Sequence, residues 1–299
     1  ANITTSGDNT AIGYVALGTA TTALSNTALG SGAMQSIPAG QAVNGCVALG
    51  RNALLGNASN TTGINYTVAI GQNSLYSLTT GAGNIAIGWE ALKTHTTGAR
   101  NIAIGYAAMD DTDQSAATLG STDNIFMGYD AGGGTWTTAA SNYNIAIGTG
   151  AMDAALNGAN SNVAIGHEAL TTATEADYNT AVGYRSFVSL TTGGSSVAVG
   201  YESGFNITTG GSNVFLGHHA GYNQQTGVYN VHIGYQAGYG AVGNSQNTNT
   251  FVGYKTGYDA TSGYNNVAMG GSALENLTSG YDHVAIGNQA GQTITATLN

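Results

Sequence analysis

The sequence has very little of the residues that usually carry ionic, covalent or metal chemistry. It contains one cysteine, one proline and five basic residues, and only 7% of its 299 residues are charged. A single cysteine excludes a disulfide within the chain. Five basic residues against 15 acidic ones argue against a nucleic-acid partner, because phosphate binding needs clustered lysine and arginine. No apolar run reaches the length of a transmembrane helix, so we predict no membrane insertion.

The chain is rich in glycine, with 47 residues, and sixteen of these close a short phrase that recurs sixteen times. The phrase is asparagine, a branched residue, alanine, an aliphatic residue and glycine, as in 84–88 and 101–105. Nine of the fifteen gaps between closing glycines are 17 residues, and the other six are 18 to 23. A fixed period of this length predicts a solenoid of stacked coils. The closing glycines are Gly13, Gly30, Gly50, Gly71, Gly88, Gly105, Gly128, Gly148, Gly166, Gly183, Gly200, Gly217, Gly234, Gly253, Gly270 and Gly287.

The residues before each closing glycine form columns that predict one strand per phrase. Three places before it stands Val, Ile or Thr, and one place before it Ile, Leu, Val or Met. Because side chains alternate across a strand, this pair shares one face and the residue between them takes the other. We expect the branched pair to fill the coil and the small face to meet another copy of the chain, although the reverse assignment is also compatible. The middle residue is alanine in twelve phrases, and otherwise Phe126, Phe215, His232 or Phe251.

Two further columns complete the expected coil. Asparagine stands four places before the glycine in twelve phrases, which predicts a ladder of side-chain hydrogen bonds from coil to coil. A second apolar stretch follows the glycine and predicts a second strand-like segment. Sixteen coils at about 4.8 Å each predict a rod of roughly 75 Å. We assign an N-terminal lead-in to 1–8, a single all-β parallel β-roll domain to 9–291 and an exit segment to 292–299.

The phrases at 9–14 (Asn-Thr-Ala-Ile-Gly-Tyr) and 179–184 (Asn-Thr-Ala-Val-Gly-Tyr) carry a family resemblance. The repeat resembles the head repeats of trimeric autotransporter adhesins (YadA-like heads) and, more closely, the related repeats of phage tail-fibre proteins. The resemblance covers about residues 9–291. It implies a left-handed parallel β-roll, three chains packed side by side, and a receptor-binding or spacer rod on a virion tail or cell surface.

Functionally, we therefore expect a non-enzymatic rod or adhesin segment that binds a host receptor, such as a glycan, and associates with copies of itself. We assign no catalytic or cofactor-binding residue, because serines and histidines follow the repeat columns and no phosphate-cradling motif is present. Two other functions fit the same coil. One is a self-assembling extracellular filament, and the other is an ice-binding solenoid with threonine ladders.

Two groups of residues are candidate metal ligands. The longest gap contains Asp110, Asp111 and Asp113, with Asp123 further on, and acidic loops of this kind can bind calcium or remain solvated. His232 interrupts the alanine column. If that column faced a threefold axis, three copies of His232 would meet there and could hold a metal ion, whereas ordinary packing is the simpler interpretation.

Insertions in the period are the candidate receptor-binding loops, because extra residues in a solenoid form outward loops. They contain Trp136 and Tyr143. Exposed aromatic rings stack on sugar rings, so both residues are predicted to be exposed contacts for a glycan receptor. The alternative is that these loops have no binding role.

Overall fold

The computed structural model describes residues 7–57, 61–112, 120–136 and 139–296. In these ranges the chain is all-β, with sixteen parallel strands of three residues and no helix. Within these ranges there is thus no helix long and apolar enough to cross a membrane. The strands recur mostly at 17-residue spacing, so the predicted β-solenoid of sixteen coils is confirmed. We refer to each coil by the number of its strand.

The chain forms two compact units, with the boundary between Ala159 and Asn160. Each unit contains eight coils, and within each unit the strands pair in register with the strands before and after them along the chain. The strands of unit 1 are β1 (Thr10–Ile12), β2 (Thr27–Leu29), β3 (Val47–Leu49), β4 (Val68–Ile70), β5 (Ile85–Ile87), β6 (Ile102–Ile104), β7 (Ile125–Met127) and β8 (Ile145–Ile147). Those of unit 2 are β9 (Val163–Ile165), β10 (Thr180–Val182), β11 (Val197–Val199), β12 (Val214–Leu216), β13 (Val231–Ile233), β14 (Thr250–Val252), β15 (Val267–Met269) and β16 (Val284–Ile286).

The alanine column lies inside the coil, which reverses the preferred expectation. The middle residue is buried in every strand except β1, whereas the branched residues on either side of it are half-buried or exposed. In β6, for example, Ala103 is fully buried and both Ile102 and Ile104 are partly exposed. The coil is narrow, and alanine fits where two walls approach closely. The larger residues four places after the glycine, such as Leu92 and Met109, fill the rest of the core.

The closing glycines are required by both conformation and space. All sixteen have φ between 123° and 146°, a range that residues with a Cβ rarely adopt. A Cβ added at Gly88 would lie 2.0 Å from the carbonyl oxygen of Gly105, and one at Gly105 would lie 2.1 Å from that of Gly128. The glycines of successive coils therefore stack directly on one another within each unit.

The asparagine column forms the predicted hydrogen-bond ladder, and its members other than Asn9 are buried. The Asn84 Oδ1 accepts hydrogen bonds from the backbone N and the Nδ2 of Asn101 at 2.9 and 3.2 Å. In the same way, Asn101 Oδ1 accepts from the N and the Nδ2 of Asn124, both at 3.1 Å. Each Nδ2 also binds a turn carbonyl, such as the bond from Asn101 to Ser121 O at 2.9 Å. Buried amides are stable here because these partners satisfy them.

The segment after each glycine is not the second strand that the sequence predicted. It is a series of turns in which alternate residues are left-handed, such as Glu90 at φ 58° and Leu92 at φ 53°. The backbone N of Glu90 donates to Gln72 O in the preceding coil, whereas that of Leu92 donates to Ala108 O in the following coil, both at 3.0 Å. The left-handed residues turn the backbone so that N–H groups point alternately to the preceding and the following coil. The coils are therefore joined by hydrogen bonds here without a second extended strand.

Candidate functional site

The outward surface of the strands is aliphatic along both units. We call the first and third residues of all sixteen strands the aliphatic face. Its third residues include Leu29, Ile147 and Leu216, which are 46%, 38% and 43% exposed. No position of this face carries a charged residue. Parallel sheets are normally covered on both sides, and a contiguous exposed apolar surface is typical of a binding face.

The interior column explains where glycine replaces the large residue after the strand. A Cβ at Gly132 would lie 2.5 Å from the Phe126 ring, and one at Gly257 would lie 2.4 Å from the Phe251 ring. Phe215 and His232 are accompanied by glycines in the same position. When the strand supplies a ring to the core, the position four after the closing glycine loses its side chain, so that the volume of the core is conserved.

His232 is therefore not positioned to meet other copies of the chain. Its ring is fully buried inside coil 13, between Phe215 at 5.2 Å and Phe251 at 5.1 Å between ring centroids. Neither Nδ1 nor Nε2 has a hydrogen-bond partner among the described residues. Burial lowers the pKa of His232 to about 3, so the ring is neutral in the folded chain. The alanine column faces inward, so His232 is packed in the core, which is the simpler of the two interpretations that the sequence allowed.

Two of the acidic residues in the longest gap have hydrogen-bond partners in the structure. Asp123 forms a bidentate pair with Arg100, with Nε–Oδ1 and Nη2–Oδ2 distances of 2.6 and 2.7 Å. Asp111 Oδ2 instead accepts a hydrogen bond from Thr135 Oγ1 at 2.6 Å. Asp113 lies outside the described residues. Among the residues that are described, no three His, Cys, Asp or Glu side chains are grouped so as to hold a metal ion. The calcium site thus remains a prediction.

Asp110 belongs to a group of carboxylates with Asp111, Asp130 and Asp153, the last two in coils 7 and 8. Burial and the charges of Asp111 and Asp130 raise the pKa of Asp110 to about 6. Burial and Asp130 raise the pKa of Asp153 to about 6. These carboxylates lie in a repulsive environment that destabilises their ionised forms at neutral pH.

The two candidate receptor residues lie in very different environments. Tyr143 is 61% exposed, as predicted for a contact residue. Trp136 is fully buried, and its ring packs on Phe126 with a centroid distance of 5.9 Å. The expectation that Trp136 is an exposed loop aromatic was therefore wrong. The chain that follows β7 places the indole in the core beside the ring that replaces alanine.

Most exposed aromatic rings are stacked on one another. In unit 1, Trp89, Tyr106 and Tyr129 stack at centroid distances of 4.5 and 5.2 Å. In unit 2 a longer stack has spacings between 4.9 and 5.5 Å. Stacked rings cover their faces and leave their edges to solvent, so these ladders offer hydroxyl rows rather than ring faces for a sugar. The longer stack consists of His167, Tyr184, Tyr201, His218, Tyr235 and Tyr254.

A charged ladder runs beside the longer stack, although the chain has few charges. Arg185 Nε lies 3.0 Å from Glu168 Oε2, and its Nη1 lies 3.9 Å from Glu202 Oε1. Glu202 Oε2 lies 3.0 Å from His219 Nε2. Alternation of sign lets charged residues occupy one column, where like charges would repel. Burial lowers the pKa of His219, so the ladder pairs one guanidinium with two carboxylates, and these contacts between coils favour a structural role.

No protein-family model matches the sequence, and no curated protein matches it.

Proposed function

We propose that this chain is a non-enzymatic structural rod or adhesin segment of a phage tail fibre or bacterial surface fibre. In this proposal three copies associate along the aliphatic face, outside the cell or on the virion tail, and their loops meet a host or surface receptor. The observation that carries it is the aliphatic face itself. Three-fold association and the tail-fibre or adhesin setting come from the repeat resemblance.

Exposed aliphatic surface supports association with copies of the chain. Transfer of apolar surface out of water stabilises an interface by roughly 25 cal/mol per Å². The face repeats in every coil, so a small gain per coil accumulates along the stack. Identical copies offer the same repeat and can match it coil for coil. An interface of this kind suits a permanent assembly, because obligate interfaces are large and apolar.

The distribution of reactive side chains supports a structural role over an enzymatic one. Several histidines and carboxylates of the described chain stand in ladders or in the core, as with His219 and Glu202 or with His232. An ice-binding face is less well supported, because the first residue of the strand is threonine only in β1, β2, β10 and β14. Tyr143 stays the candidate loop contact for a receptor.

The association can be tested with paired substitutions. Leu29→Asp with Ile147→Asp places charges on the aliphatic face, whereas Ser31→Asp with Thr149→Asp places them two residues further along the same coils, at exposed positions. Burying an unpaired carboxylate costs several kcal/mol, so we expect the first variant to dissociate into single chains. Sedimentation velocity should show the wild type and the second variant as trimers at the same concentration.

The opposite result would be equally clear. If wild type and both variants sediment as single 29.9 kDa chains, the aliphatic face is not an interface. If both double variants dissociate equally, the interface lies elsewhere on the coil.

A further inference from the structure

Two adjoining depressions on the surface of unit 1 meet at Tyr76. The first has a volume of about 380 Å³ and the second a volume of about 550 Å³. We call the pair the Tyr76 groove. Its combined size is within the range of small-molecule sites. The first depression is lined by Arg51, Asn52, Gln72, Asn73 and Lys93, and the second by residues including Asn57, Ser77, Thr79 and Thr96, with Tyr76 common to both.

The floor of the first depression is held in place by the stack. Asn52 Nδ2 donates to Asn73 Oδ1 at 3.3 Å, and Asn73 Nδ2 donates to Glu90 Oε1 at 3.1 Å. Both asparagines are left-handed, at φ 55° and 59°, which fixes their side chains in one column. The remaining amide groups of such a ladder are oriented before any ligand binds. Groups held this way lose little entropy on binding.

Tyr76 differs from most of the exposed aromatic residues. The rings of the ladders cover one another, as Tyr106 and Tyr129 do at 5.2 Å. Tyr76 has Leu55 and Lys93 at the same position of the neighbouring coils, and no aromatic ring of the described residues stacks on it. Its side chain is 37% exposed. Tyr76 can therefore offer a ring face to a ligand.

The groove is a local cationic site on an acidic chain. Arg51 and Lys93 are two of only five basic residues, and the formal net charge of the chain is −10. Lys93 Nζ is paired with Glu90 Oε2 at 2.8 Å. No carboxylate of the described residues lies within ion-pair distance of Arg51. An arginine with free donors beside amides can bind a carboxylate in bidentate fashion.

We propose that the Tyr76 groove binds an acidic oligosaccharide. One sugar ring packs on the face of Tyr76, its hydroxyls bind the amides and hydroxyls of the two depressions, and its carboxylate binds Arg51. Two cations are too few for a phosphate polymer, whereas the many polar side chains suit sugar hydroxyls. The groove uses columns outside the aliphatic face. The proposal goes beyond the proposed function, since it places a ligand on the coil body and does not depend on association.

Isothermal titration calorimetry with the full chain tests the site. The probes are trigalacturonate, trimannuronate and sialyllactose, each compared with its methyl ester, which removes the charge and keeps the shape. We expect at least one acid to bind at least tenfold more tightly than its ester. Arg51→Gln should weaken the acid about tenfold, which corresponds to 1.4 kcal/mol, and leave the ester unchanged. Tyr76→Leu should weaken both.

Lys255→Gln is the matched control, because it removes a basic residue in unit 2 that lies outside the groove. Its binding should equal that of the wild type. The proposal is overturned if none of the three acids binds at millimolar concentration, or if acid and ester bind equally. It is also overturned if Lys255→Gln weakens binding as much as Arg51→Gln, since the charge effect would then be nonspecific.

Discussion

Replacement of Gly105 by alanine is expected to destabilise unit 1 by about 3–6 kcal/mol, the sum of backbone strain and steric overlap. Gly105 has φ 145°, and its added Cβ would lie 2.1 Å from the Gly128 carbonyl oxygen. Neither the strain nor the overlap can be relieved by a side-chain rotation, because both involve the backbone. The stack would have to separate between coils 6 and 7. Urea unfolding, monitored by circular dichroism, measures the loss in the free energy of unfolding.

Gly83→Ala is the control for this prediction. Gly83 also has a positive φ, at 70°, but its added Cβ would meet only Arg100 Cγ, at 3.8 Å. Left-handed strain alone costs about 1–2 kcal/mol. The expected order is therefore wild type, Gly83→Ala and then Gly105→Ala, with a clear gap before the last. Equal losses in the two variants would contradict the direct stacking of closing glycines.

Replacement of His232 by phenylalanine is expected to stabilise unit 2 and to remove much of its sensitivity to acid. Both ring nitrogens are buried without partners among the described residues, and an unsatisfied buried polar group costs about 1–3 kcal/mol. Phenylalanine already fills this position in Phe126, Phe215 and Phe251. Each of these coils has glycine four places after the closing glycine, and coil 13 has Gly238 at that position. The core of coil 13 therefore has room for a phenylalanine ring.

The acid dependence follows from the lowered pKa of His232. The folded chain holds the ring neutral down to about pH 3, whereas the unfolded chain protonates it near 6.5. The stability associated with the neutral ring is thus complete above pH 6.5 and is lost as the pH falls towards 3. Across that window the loss is on the order of 5 kcal/mol, at 1.36 kcal/mol per pKa unit. Phenylalanine does not titrate and avoids the loss.

Urea midpoints at pH 7.5 and pH 4.5 provide the measurement. The urea midpoint of His232→Phe should exceed that of the wild type by more at pH 4.5 than at pH 7.5. His167→Phe, which removes a half-exposed histidine from the aromatic stack of the same unit, should show no such growth. A His232→Phe gain that is the same at both pH values would mean that the ring is not buried in its neutral form.

The columns of the repeat were sufficient to predict the coil and its ladders. Periodic glycine, obligate β-branching before it and the asparagine column led to parallel strands in register, and the structure has them. The buried Asn84 and Asn101 hydrogen bonds follow directly from stacking identical amides. These features depend on the repeat alone, and a repeat is visible in any single sequence.

Which face of each strand lies inside the coil could not be predicted in the same way. The alternation of side chains along a strand separates two faces but does not show which face lies inside the coil. Large branched residues usually lie inside. The decisive signal was in the sequence, since Phe126, Phe215, His232 and Phe251 are each accompanied by a glycine six residues later. That compensation indicates a shared, enclosed volume. The burial of Trp136 could not be predicted from the repeat, because an inserted residue has no equivalent position in the other coils.

The central proposal is that the uncharged, outward aliphatic face is an interface between copies of the chain, and cysteine labelling tests it most directly. The only native thiol, Cys46, is buried, and burial raises its pKa to about 11, so it should not react. Ile147→Cys and Thr149→Cys each add one thiol, both at positions exposed in a single chain. The proposal predicts that iodoacetamide modifies Ile147→Cys at least tenfold more slowly than Thr149→Cys, because in the proposed association a neighbouring copy covers that face. Equal labelling rates would contradict it.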